Sequence, residues 1–171
     1  MTPGFLQRLD RTARCLTPMV LCIVLVVASA LPMNLPGYGR VAPNLALIAV
    51  FYWAIFRPDL VPLSGAFAVG LFQDILSGTA LGLQALVLVI VHQAVASQQR
   101  FFAGKSFLVV WWAFAMTALG AAAVVWIATM LLNLTLISPT PVLFQFLLTV
   151  AFCPFLAWFL ARVHGAVLPA V

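Results

Sequence analysis

The sequence predicts an all-α integral membrane protein, a polytopic bundle of six transmembrane helices, and three observations carry that expectation. Apolar residues fill 65% of the 171 positions and charged residues only 6%, against about half and a quarter in a soluble domain. The apolar residues run in long unbroken segments instead of alternating with a period of two, which excludes a transmembrane barrel. Turn-forming residues divide these segments at spacings that suit a hydrocarbon core about 30 Å thick, which a helix of roughly 20 residues crosses. On that measure the chain has length for about five to seven crossings and none left for an added soluble domain.

The first segment covers about residues 15–31, follows Arg8, Arg11 and Arg14, and ends at the turn cluster between Pro32 and Gly39. The basic lead looks like the start of a signal peptide, but no small-residue cleavage site precedes a soluble region, so a retained helix is expected. The second segment, 43–56, opens on Pro43, a good first-turn residue, and stops before Arg57-Pro58-Asp59. The third covers 60–77 and breaks at Gly78; the fourth covers 81–96. The fifth, 107–134, is the longest and has length to tilt. The sixth, 141–161, carries Pro154 as an internal kink. One domain over residues 1–171 is the economical reading.

Charge then orients the bundle. Six crossings put both termini on one side. That side collects Arg8, Arg11, Arg14, Arg57, Arg100, Lys105 and Arg162, seven of the eight basic residues, and leaves Arg40 alone on the other. The positive-inside rule makes the richer side cytoplasmic. The cations are singles and pairs with no stripe, so the net charge of +5 is no nucleic-acid footprint.

Few residues are left to carry chemistry. Cys15, Cys22 and Cys153 all lie in apolar segments and read as small buried hydrophobes. His92, Gln93 and His164 have no Cys, Asp or Glu at ligand spacing, so no metal and no cofactor are expected. No nucleotide-binding or hydrolase motif is present, and an enzyme is not expected. Phe51-Tyr52-Trp53 with Phe56, Phe101-Phe102, Trp111-Trp112 and Trp158-Phe159 fall at the predicted cytoplasmic ends, as an interfacial aromatic belt would. Gln84 and Asn133 are isolated polar residues, too few to outline a pocket.

Asp74 is the most informative position. Ala66, Gly70, Asp74 and Gly78 are spaced by four and share one helix face, a stripe of small residues that lets a second helix approach closely. An acid within a membrane helix costs about 2.5 to 3.5 kcal/mol and needs a partner. Asp74 falls about one helical turn inside the outer interface, where Arg40 and Asn44 are the candidate partners. Two readings stay open: a proton or ligand site, or a structural polar clamp in which Asp74 bonds Arg40, Asn44 or backbone donors. Asp10 and Asp59 lie in cytoplasmic segments, so a membrane-embedded pair of catalytic aspartates has no second member.

Pro43-Asn44-Leu45 opening a helix, Tyr52-Trp53, the Pro58 turn, Gly65 with Phe67, and Gly70-x-x-x-Asp74-x-x-x-Gly78-x-x-Leu81-Gly82 together resemble the rod shape-determining protein MreD family over about residues 43–86. The resemblance implies a non-enzymatic subunit of the bacterial cell-wall elongation machinery, in the inner membrane with the bitopic protein MreC. Through it the chain would be linked to the MreB filament, a SEDS glycosyltransferase and a class B penicillin-binding transpeptidase. The family is also similar in fold to the S components of energy-coupling-factor transporters. Independently of the resemblance, the small-residue spacing assigns helix packing to Ala66, Gly70, Gly78 and Gly82. A solute-binding subunit of a vitamin transporter is the alternative, and a small channel or proton pathway through Asp74 is a third reading.

Overall fold

The computed structural model describes residues 18–30, 34–35, 39–40, 42–102, 104–134 and 138–167. Arg8, Asp10, Arg11, Arg14 and Cys15 lie outside them, as do the side chains of Arg40 and His164. The described chain is helical apart from one antiparallel pairing of β1 (Asn34–Leu35) with β2 (Gly39–Arg40). Helix α1 is Pro18–Ser29. It is followed by α2 (Leu45–Phe56), α3 (Leu63–Ser77), α4 (Leu83–Ser97), the single turn α5 (Gln99–Phe102), α6 (Phe107–Asn133) and α7 (Thr140–Val167). The short α5 has no counterpart in the six expected segments, and α7 continues six residues past Ala161.

Helix α2 is the axis of the bundle. All eleven residues from Leu45 to Ile55 are buried, because α2 is apolar on every face and so has no side to offer water. Its neighbours include α3, α4, α5, α6 and α7. Its 12 residues span only about 18 Å, well short of the hydrocarbon core. Protein on all sides removes the need to match the thickness of lipid. The same burial withdraws Phe51, Tyr52 and Trp53 from the expected interfacial belt into the core, whereas Phe56, Phe101, Trp112 and Trp158 stay exposed.

Helices α3 and α4 make the most extensive contact among the described helix pairs. A Cβ added to Gly70 would lie 2.7 Å from the backbone nitrogen of Ala85 and 2.9 Å from the carbonyl oxygen of Gln84. The helices meet there backbone to backbone, a distance only glycine permits. Gly78 ends α3 and Gly82 begins α4, both in the left-handed region at φ 63° and φ 94°. Nothing lies within 4 Å of a Cβ built at either. Their place is in the turn between the helices, where a positive φ is needed.

Helices α6 and α7 are of a different kind. Both are long and apolar enough to cross a membrane, over Phe107–Asn133 and Thr140–Val163. Helix α6 buries only Phe114, Ala118 and Ala121, one narrow seam, and exposes Trp112, Met116 and Leu131. Pro154 sits inside α7 and cannot donate to the carbonyl of Val150. The indole Nε1–H of Trp111, on α6, donates to that carbonyl at 3.3 Å. In hydrocarbon no water would serve it, so the proline and the tryptophan form one structural unit joining α6 to α7.

Candidate functional site

Polar side chains gather at the end of the bundle where α3 turns into α4. Asp74 is fully buried. Its carboxylate accepts from the Thr79 hydroxyl at 2.8 Å, from the Gly82 backbone N–H at 2.9 Å and from the Gln84 backbone N–H at 3.1 and 3.2 Å. The N–H of Ala85 approaches at 3.4 Å. A helix begins with four N–H groups that have no intrahelical acceptor, and α4 has no side-chain cap of its own at Gly82. Asp74 supplies that cap from the preceding helix. Its negative charge also meets the positive end of the α4 dipole. The carboxylate is thus bound by one hydroxyl and by backbone donors.

The next residue back, Gln73, ties α3 in another direction. Its Nε2 donates to Asn44 Oδ1 at 3.2 Å, and the same oxygen caps α2 by accepting from the Leu47 N–H at 3.1 Å. The Asn44 N–H donates to Thr149 Oγ1 at 3.0 Å, and the Thr149 hydroxyl donates to the Gln145 carbonyl at 2.7 Å. Gln145 Nε2 donates to the Ala42 carbonyl at 3.1 Å. Asn44 is therefore bonded to Gln73, beside Asp74, while α2, α3 and α7 are joined into one chain of bonds. A cavity of about 40 Å³ opens among Asn44, Gln84, Gln145 and Thr149, closed on its far side by Ala118 and Ala121 of α6. The buried Oε1 atoms of Gln73 and Gln84 have no hydrogen-bond partner among the described residues. The cavity has room for a group of about the size of one water.

Gln145 and Thr149 are lone polar residues in an apolar run, and Gln73 and Thr79 stand beside Asp74 and Gly78, so nothing local marks any of the four as a bonding partner. Their signal is depth. Gln73 and Thr79 flank the end of α3, Asn44 and Gln84 stand at the start of α2 and α4, and Gln145 and Thr149 lie one turn apart near the start of α7. Alternating helix directions bring all of these to one level. His92 is buried in α4 away from this set, and Gln93 is exposed. No group of three His, Cys, Asp or Glu side chains able to hold a metal occurs among the described residues.

Apolar outer faces, long spanning helices and polar groups spent on joining helices define an α-helical membrane protein. A match to a family model makes the assignment specific. The model described as rod shape-determining protein MreD covers residues 10–163 of the chain, and the chain belongs to the MreD family. No solved structure matches it.

Proposed function

We propose that this protein is a multi-pass scaffold subunit of the cell-wall elongation complex, holding MreC by lateral helix packing and performing no catalysis. The family is one of shape-determining membrane proteins, and the solute-transporter alternative draws no support from the match. In this reading six helices cross the inner membrane with both termini in the cytoplasm. The end bearing Arg57, Lys105 and Arg162 faces inward and the Asp74 end faces outward. The fold resembles that of S components, and MreB, the glycosyltransferase and the transpeptidase are reached through MreC.

The observation that carries the reading is an unfilled trough of about 340 Å³ between α4 and α6. It is walled by Val87, Ile90, Ala94, Thr117, Gly120 and Ala121. A Cβ built on Gly120 meets nothing within 4 Å. Small residues in an open membrane-facing trough allow another helix backbone to come close, the main source of helix affinity in lipid. Asp74, Gln73 and Asn44 form the clamp that keeps α2, α3 and α4 in register behind that trough. Ala66 and Gly70 act on the inner side of α3.

Replacement of Gly120 by leucine fills the trough without touching the clamp. MreC should then be lost from co-purification while the variant still accumulates in the membrane, and cells relying on it should round up. Normal recovery of MreC with G120L would remove the trough as the docking face. Retention of rod shape in cells depleted of the protein would remove the scaffold reading altogether.

A further inference from the structure

A second groove has different walls. It lies between α2, α6 and α7 at the end of the bundle opposite Asp74 and encloses about 460 Å³. Six aromatic side chains line it, Phe51, Tyr52, Phe56, Phe107, Trp111 and Trp158, with Pro154 among the remaining apolar lining residues. Two of its lining residues, Trp111 and Pro154, belong to the unit already described. Pro154 interrupts the bonding of α7, and Trp111 spends its N–H on the Val150 carbonyl.

We propose that this groove is a binding site for one acyl chain of an anionic phospholipid, whose phosphate is held by the cations at its mouth. A cavity of 150 Å³ accommodates benzene, so one of about 460 Å³ has room for on the order of 18 carbon atoms, the size of a single lipid tail. Bulky aromatic walls keep a helix backbone at a distance, whereas close helix docking in lipid needs small residues. A flexible chain fits such walls. Lipid tails are as apolar as the groove, so chain burial alone selects nothing, and the headgroup must supply the selection.

Three basic residues neighbour lining residues along the chain, and Lys105 Nζ lies 5.4 Å from the centroid of the Phe101 ring at the same end. Arg57 follows the lining residue Phe56, Lys105 stands two residues before Phe107, and Arg162 follows Ala161. The Arg162 guanidinium lies over the Trp158 ring, 5.7 Å from its centroid, so a cation is positioned beside a groove wall. Asp59 is the one acid at this end among the described residues, and Asp74 is committed at the other. Basic clusters between membrane helices recognise anionic headgroups, and guanidinium groups bind phosphate in a fixed geometry.

The test is mass spectrometry of the intact protein in mild detergent, delipidated and then titrated with phosphatidylglycerol or phosphatidylcholine of identical chains. One bound phosphatidylglycerol per chain is expected, with affinity about tenfold above phosphatidylcholine. The double variant Lys105→Gln/Arg162→Gln changes exposed side chains and should erase that preference while leaving the protein folded. Ala157→Phe, inside the groove, should abolish retention of either lipid. Equal affinity for the two lipids overturns the proposal. So does an unchanged preference in the charge variant, or crosslinking in cells from Trp158 to the helix of MreC in place of lipid.

Discussion

At the residue scale, one carboxylate substitutes for the missing cap of a helix. Asp74→Ala leaves the N–H groups of Gly82 and Gln84 without an acceptor inside an apolar bundle. Loss of a cap and of charge-assisted bonds should cost about 2–4 kcal/mol. Asp74→Asn keeps one acceptor oxygen but turns an amide NH₂ toward backbone donors, so it should recover less than half of that. Thermal unfolding in detergent, followed by tryptophan fluorescence, ranks the three proteins. Equal midpoints for wild type and Asp74→Ala would mean that the cap is dispensable. Asp74 could be singled out from the sequence because an acid in an apolar run must be neutralised, bonded or functional. Backbone donors were among its expected partners, but which ones was not legible. Thr79 and Gln84 are five and ten residues away along the chain, and their convergence depends on the turn built by Gly78 and Gly82.

At the scale of elements, two glycines of similar appearance in the sequence have opposite roles. Gly70 is pressed against the backbone of α4 and Gly120 faces open space. Gly70→Ala should therefore push α4 away and loosen the Asp74 bonds, costing about 1–3 kcal/mol. Gly120→Ala should be neutral or slightly stabilising, since alanine is the better helix former by about 1 kcal/mol. The same unfolding assay separates them, and a larger loss for Gly120→Ala would reverse the assignment of inner and outer faces. The α6–α7 joint offers a second test. Trp111→Phe strips the Val150 carbonyl of its donor and should cost about 1–2 kcal/mol. Pro154→Ala restores an N–H to the same carbonyl. The double variant should then be less destabilised than the sum of the two single ones, a coupling that a double-mutant cycle reads directly. Additive effects would show that the proline and tryptophan act separately.

At the scale of the whole molecule, the helices divide into a short core and a long exterior. Helix α2, too short to span lipid, is enclosed, and α6 and α7, at 27 and 28 residues, present exposed apolar flanks. An orientation follows for the proposed topology. In a variant lacking its native cysteines, a cysteine at Leu134 should react with a membrane-impermeant maleimide added to intact cells. One at Lys105 should react only after the membrane is opened. The reverse pattern would invert the bundle, and labelling of both from outside would break the even-crossing topology.

Membrane residence and helical class depend on composition and local patterning, and both were legible in the sequence by itself. The residues between Pro43 and Leu86 were also enough to resemble the family to which the chain belongs. Enclosure of α2 was beyond it, because an all-round apolar helix reads alike whether lipid or protein surrounds it. The aromatic residues at the end of α2 were accordingly expected at an interface and lie in the core. The polar set of Asn44, Gln73, Gln84, Gln145 and Thr149 joins residues up to 105 positions apart, a distance over which no local rule operates. Only the packing of α3 on α4, and of both on α2, decided that these lone side chains share one level. Burying a polar group without a partner is costly in hydrocarbon, and three-dimensional proximity alone supplies the partner.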